Sequence, residues 1–226
     1  MWALLAVTPA VQMSRIDVGG NRAGTQTGYT AYGQSGRALL AADLADLGAP
    51  PVFDEAVDVG VKDLLPVLTR AMASDPDALV IHLHAGPSAL LVRQAAALGV
   101  SVPIVAGSAL HQPSTAALLE PEELKGVCAE TAAAPLSATS AGISQFVAEY
   151  RARFDTEPDA YALCQFDGVR MVLNAVASGA TTPDAVREAL ATQTYHGLAM
   201  TYRSDGKGNM AHSAEVVCYD GTSRVP

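Results

Sequence analysis

Two short stretches carry the residues best typed and spaced for chemistry. One is a serine between glycines, Gly33-Gln34-Ser35-Gly36; the other is a histidine pair, Ile81-His82-Leu83-His84-Ala85-Gly86. A nucleophilic serine on a strand–turn–helix follows G-x-S-x-G, and here the second glycine comes one position early. No Asp and His follow in a pattern that would complete a triad. Ser35 therefore reads as a serine of the first helical turn. A phosphate cradle needs G-x-x-x-x-G-K-[ST] or G-x-G-x-x-G, and neither is present. His82 and His84 lie two apart on a strand and face one side, as the start of a metal site would. Such a site needs further ligands on later strands. His111 is the nearest candidate, and Val102 to Ser108 offers no acid. The expectation is no catalytic residue, no metal ligand and no cofactor. His82 reads as packed or capped, and His84, at the strand's carboxyl end, as facing a cleft. Farther on, Asp167 reads as a structural acceptor on an apolar helix, and Tyr161, near that helix's start, as reaching a cleft.

Composition narrows the function classes. Half of the 226 residues are hydrophobic, 16% are charged, and the formal net charge is −9. A chain this apolar has a real core and is not globally disordered. Basic clusters are absent, so neither a nucleic-acid footprint nor a polybasic membrane patch is expected. Cys128, Cys164 and Cys218 show no metal-ligand spacing. One disulfide plus a thiol, and three reduced thiols, both stay open. No apolar run reaches the roughly 18–20 residues of a membrane span. The opening Met1-Trp2-Ala3-Leu4-Leu5 lacks the positive n-region of a signal peptide.

The elements that must position these residues alternate from Tyr29 onward. Leu40, Leu44 and Leu47 share helical spacing, with Gly48 where the helix ends. Pro51 to Asp58 reads as a strand. A helix follows with Asp63 as N-cap and Pro66 in its first turn. Asp77 to Ala85 is a nearly continuous apolar run, as a buried parallel strand should be. A helix follows from Gly86, with Pro87 near its first position and Gly99 after its end, and Val102 to Ser108 is another short strand. This β-α-β-α-β run predicts a doubly wound parallel sheet in an α/β fold. Beyond Pro135 an amphipathic helix carries Ile143, Phe146, Val147, Tyr150 and Phe154 on one stripe, and Glu149 can pair with Arg153. A second helix spans about Tyr161 to Ser178. A third opens with Thr182 as N-cap and Pro183 at N1. Ala199 to Gly221 reads as a hairpin turning at Ser204-Asp205-Gly206. Residues 1–28 are polar, glycine-rich and without period, and nothing in them announces a strand. In open α/β sheets ligands sit outside the carboxyl ends of the strands. Tyr32, His84 and Ser108 all fall at that rim. None is an obvious catalyst, and the pattern suits binding better than chemistry.

In this order and spacing the residues resemble the type I periplasmic solute-binding proteins of the Leu/Ile/Val-binding group, which serve ABC transporters. The matching segments are "AYG" opening a helix, "SDPDALVIHLHAG", "VRQAAALGVSVPIVAGS", "LKGVCAETAAAP", "FVAEYRARFDTEPDAYALCQFDGVRMVLNAV" and "REALATQTYHGLAMTYRSDGKGN". The resemblance implies two α/β lobes, here one complete lobe and part of a second. Residues 1–28 would be an irregular or replaced segment, 29–135 the second-lobe sheet, and 136–202 a partial first lobe of helices. Residues 203–226 would be a terminal hairpin returning to the second lobe. It implies a ligand set of Tyr32, His84, Ala85, Ser108 and Tyr161. Where amino-acid binders of the family place an acid for the ligand ammonium this chain has Ser108, so amides and other carboxylates stay open beside amino acids. The implied function is a non-enzymatic, hinge-closing solute binder with a membrane ABC permease as partner, periplasmic or extracellular. A non-binding remnant of such a protein stays open. In that case exposed Ile143, Phe146 and Tyr150 would drive self-association. A ligand-sensing regulator of the same fold, and a serine or metal hydrolase, complete the alternatives.

Overall fold

A computed structural model describes residues 13–18, 31–211 and 213–226. The chain divides into two compact units. One holds the described residues up to Glu130 together with Val216–Pro226; the other is Thr131–Glu215.

The first unit is built on a six-stranded sheet in the order β2-β1-β3-β4-β5-β9. Its strands are β1 (Met13–Val18), β2 (Pro51–Val57), β3 (Ala78–His82), β4 (Ile104–Ala106), β5 (Val127–Thr131) and β9 (Glu215–Cys218). β1 runs parallel to both β2 and β3, and β3, β4 and β5 continue the parallel array. Three helices connect the strands: α1 (Ala31–Asp46), α2 (Leu65–Ala73) and α3 (Ala85–Leu98). The short helices α4 (Pro113–Ala116) and a 3-10 turn (Pro121–Leu124) lead to β5. This is the α/β doubly wound parallel sheet that the alternation predicts.

The core lies where α2 and α3 pack on the sheet. Leu64, Leu68, Leu79, Ile81, Leu83 and Leu91 are completely or almost completely buried there. β3 is buried along most of its length, which is why its sequence is a continuous apolar run. Helix ends follow backbone chemistry. α1 closes with Gly48 at φ +73° and α3 with Gly99 at φ +73°, the left-handed conformation that glycine adopts without strain.

Several expectations need correction. The segment 1–28 is not irregular throughout, because Met13–Val18 is a strand between β2 and β3. Its sequence, Met-Ser-Arg-Ile-Asp-Val, interleaves charges with apolar residues and so lacks the run expected of an inner parallel strand. Backbone pairing on both sides overrides that pattern. The rest of 1–28 lies outside the described residues. Asp63 is not the N-cap of α2; Leu64 is, and the Asp63 carboxylate accepts the Leu65 N–H at 3.0 Å. Ser35 falls in the second turn of α1, not the first. Leu44 is buried on the α1 stripe, but Leu47 is exposed.

The second unit contains α5 (Ala141–Phe154), α6 (Ala160–Ala177), α7 (Pro183–Thr192) and an antiparallel three-stranded sheet. That sheet is β6 (Thr194–His196), β7 (Thr201–Ser204) and β8 (Met210–Ala211), in that order. Each helix starts at a side-chain cap. Ser140, Asp159 and Thr182 accept the N–H of Ile143, Ala162 and Ala185, respectively. The hairpin expected near the C-terminus is present as β7–β8, but it stays in this unit beside β6. What returns to the parallel sheet is β9, next to β5. Glu149 accepts from Gln145 at 2.8 Å rather than pairing with Arg153, which stacks over Phe154. Ile143, Phe146 and Tyr150 are half-buried, with Phe146 against Phe166 and Tyr150. The exposed apolar face lies instead on α6.

Candidate functional site

The strand order fixes one special place on the parallel sheet. From β1 the chain passes through α1 to β2 on one side, while β3 and β4 lie on the other. The order therefore reverses between β1 and β3, and crevices for ligands open outside the carboxyl ends at such a reversal. The two strand ends are level, since Asp17 pairs with His82.

His82 is the last residue of β3, and its ring is pressed against α1. A Cβ at Gly36 would stand 2.2 Å from His82 Nε2, so only glycine lets α1 approach this closely. That contact explains the second glycine of Gly33-Gln34-Ser35-Gly36. It is a helix–strand contact, while Ser35 is exposed on the helix. Tyr32 sits one turn before Gly36, in the first turn of α1.

Past His82 the chain turns directly into α3. His84 is its N-cap residue in extended conformation, and Ala85 is its first helical residue. No side chain caps this N-terminus. Pro87 has no N–H, and the Ser88 N–H is already bonded to His84 O at 2.9 Å. The backbone N–H groups of Ala85 and Gly86 head the positive end of a 14-residue helix. Such an end favours an anion by about 0.3–1 kcal/mol. Ser88, fully buried, bonds Leu83 O and fixes the entry turn.

The turn after β4 carries Ser108, half-buried. It is tied to β3 by Gly107 N–H donating to Ile81 O at 3.0 Å. His84, Ala85 and Ser108 thus follow the carboxyl ends of adjacent strands in one unit. Tyr161, the second residue of α6, belongs to the other unit and is 49% exposed. That unit has its own groove of about 320 Å³, lined by Met171, Asn174, Leu190, Gln193 and Tyr195 among others. None of the sequence-predicted site residues lines it.

Groups suited to covalent or metal chemistry are placed for structure. No three His, Cys, Asp or Glu side chains among the described residues gather as a metal site. Asp167 is buried to 1% and accepts from Leu198 N–H and Ala199 N–H at 2.8 Å and from the Tyr202 hydroxyl at 3.1 Å. Gly197 is pressed on its carboxylate, where a Cβ would be 2.2 Å away. This is the structural acid read from the sequence. Burial pushes the Cys164 thiol above its ordinary range, which makes it a poor nucleophile. Cys128 and Cys218 form a disulfide between β5 and β9. Sequence reasoning missed the Gly36–His82 contact and the pairing of His111 Nδ1 with Tyr219 OH at 3.3 Å. The first leaves a trace in the spare glycine; the second, 108 residues apart, leaves none.

A profile of the family described as Periplasmic binding protein matches residues 5–222. The chain belongs to the periplasmic binding protein family. No curated protein matches the sequence of this periplasmic binding protein. Its structure resembles a leucine binding protein from Thermotoga maritima (TM-score 0.76, 21% identity, 93% of this chain and 58% of that one). It also resembles a branched-chain amino acid transporter substrate binding protein from Streptococcus pneumoniae in complex with isoleucine (0.68, 22%, 93% and 61%). A third is an ABC transporter solute binding protein from R. palustris in complex with benzoate (0.75, 14%, 92% and 56%). The chain therefore spans about 60% of the length of these solved relatives. No helix among the described residues is long and apolar enough to cross a membrane.

Proposed function

We propose that this chain is the solute-binding component of an ABC uptake transporter, non-catalytic, taking a small polar solute by hinge closure and delivering it to a membrane permease. The observation that carries the reading is the reversal of strand order between β1 and β3 with the uncapped N-terminus of α3 at that edge. Tyr32, His84, Ala85 and Ser108 border the solute on this unit, and Tyr161 completes the set that the family resemblance implies. Two backbone donors at a helix N-terminus suit a carboxylate group. Ser108 brings no charge for an ammonium, so amides and carboxylates without an amine stand beside amino acids as ligands. The ligands named for the solved relatives, leucine, isoleucine and benzoate, all carry a carboxylate. The disulfide fits an oxidising compartment and so a periplasmic or extracellular location.

The test is a thermal-shift titration of the full chain with L-leucine, L-isoleucine, benzoate and a panel of small amides and carboxylates. A solute at 100-fold over its Kd stabilises the folded state by about 2.7 kcal/mol. The Ser88 N–H bonds the backbone carbonyl of residue 84, which His84→Ala keeps. The expected result is a dose-dependent rise in melting temperature that His84→Ala removes. A cooperative melt that no solute shifts overturns the reading.

A second reading, that this chain does not bind by itself, is favoured by the exposed apolar face of α6. Val169, Leu173 and Val176 stand open there. Self-association of the purified chain with no thermal response would select it.

A further inference from the structure

Val216–Pro226 returns to the parallel-sheet unit and fastens onto the region that follows β4. Tyr219 N–H donates to Val127 O at 2.9 Å, and its neighbour Cys218 is disulfide-bonded to Cys128. Farther along, Arg224 donates to Leu119 O at 2.5 Å and to the Glu120 carboxylate at 2.8 Å. Between these anchors the Tyr219 ring is buried in the sheet core, 4% exposed. Its hydroxyl meets His111 Nδ1 at 3.3 Å, with the rings 6.4 Å apart.

His111 ends the turn that carries Ser108. That turn is pinned at its start by the Gly107 N–H on Ile81 O and in its middle by the completely buried Leu110. Its far end is held by the His111–Tyr219 pair. We infer that Tyr219 is a positioning residue: through His111 it holds the Gly107–His111 turn, and with it Ser108, at the carboxyl edge of β4. The inference rests on the reading of that edge as the solute site. The disulfide and the pairing with Val127 hold Tyr219 in turn, so the C-terminal strand sets the geometry of a loop 108 residues earlier in the chain. Burial pushes the Tyr219 phenol up to about 12, so the hydroxyl keeps its proton at neutral pH, and which partner donates follows the His111 tautomer.

Tyr219→Phe keeps the ring, the disulfide and the backbone pairing and removes only the hydroxyl. Two readouts need no ligand: amide exchange of Gly107–His111, and the nitrogen chemical shifts of His111, which report its tautomer. Loss of a hydrogen bond of ordinary net strength should speed exchange in this turn about 10-fold and leave β3 unchanged. The nitrogen shifts of His111 should change together with it. His111→Phe, which removes the other partner, should reproduce the faster exchange and serves if Tyr219→Phe folds poorly. For a solute that binds the parent chain, Tyr219→Phe should raise Kd about 10-fold with little change in melting temperature. Unchanged exchange and unchanged His111 nitrogen shifts would overturn the inference. Faster exchange in a chain that binds no solute would uphold the positioning role and sink the solute reading alone.

Discussion

The two units spend similar apolar sequence in different ways. In the parallel-sheet unit, Leu68, Leu79, Leu91, Leu110 and Leu124 close around one core, and the sheet gives each helix an apolar surface to cover. In the unit of α5, α6 and α7 the buried cluster is small: Ala133, Ala160 and Leu163, with Ile143, Phe146 and Ala199 against them. α6 is apolar on both sides. Leu163, Asp167, Met171 and Ala175 face inward, and Phe166, Val169, Leu173 and Val176 are exposed. A helix that is hydrophobic all round is normally buried all round. The difference teaches that a helix pattern tells what a helix can bury, while the sheet available to it decides how much it does.

Truncating one leucine in each unit breaks or confirms this contrast. Leu79→Ala, in a completely buried position of β3, should cost about 2–5 kcal/mol in chemical denaturation. Leu173→Ala, at 57% exposure, should change stability by no more than about 0.5 kcal/mol. Equal losses would mean that the α6 face is covered in solution.

Asp167 sharpens the comparison from the other side. In a unit with little apolar core, one carboxylate gathers the β6–β7 connection and the β7 tyrosine onto α6. Asp167→Ala leaves buried donors without an acceptor and should destabilise the chain by about 3 kcal/mol. Proteolysis of the Gly197–Tyr202 segment should accelerate with it. A loss under about 0.5 kcal/mol would mean that the polar hub does not hold this unit together.

The last test is alkaline. Burial raises the Tyr219 phenol from its ordinary value of 10.0 to about 12. The folded state then keeps a proton that the unfolded chain loses, so stability is intact below pH 10 and falls between about pH 10 and 12. The slope for one such group is about 1.4 kcal/mol per pH unit. Tyr202 is raised in the same direction, chiefly by burial, and adds to the fall. Tyr219→Phe should flatten the alkaline limb in part, and an unaltered limb would contradict the burial of this phenol.

Much of the fold was legible because the physics is local. The apolar run of β3, the cap at Thr182, and the glycines that end α1 and α3 all act within a few residues. β1 was not legible, since its charged residues hide a strand that only its two neighbours stabilise. The fate of the C-terminal hairpin was half legible: its turn is local, but the departure of β9 to β5 is tertiary. At the candidate site the rim positions His84 and Ser108 could be placed from strand ends alone. The reason for Gly36, a histidine ring from another element, could not.

The most direct measurement is amide hydrogen exchange of the full chain, mapped with and without L-leucine, L-isoleucine or benzoate at saturating concentration. If the solute edge lies at the reversal between β1 and β3, protection rises at Ala85–Ser88 and at Gly107–His111. Protection confined to the α6–α7 groove around Asn174, Gln193 and Tyr195, or to no segment with any solute, would contradict it.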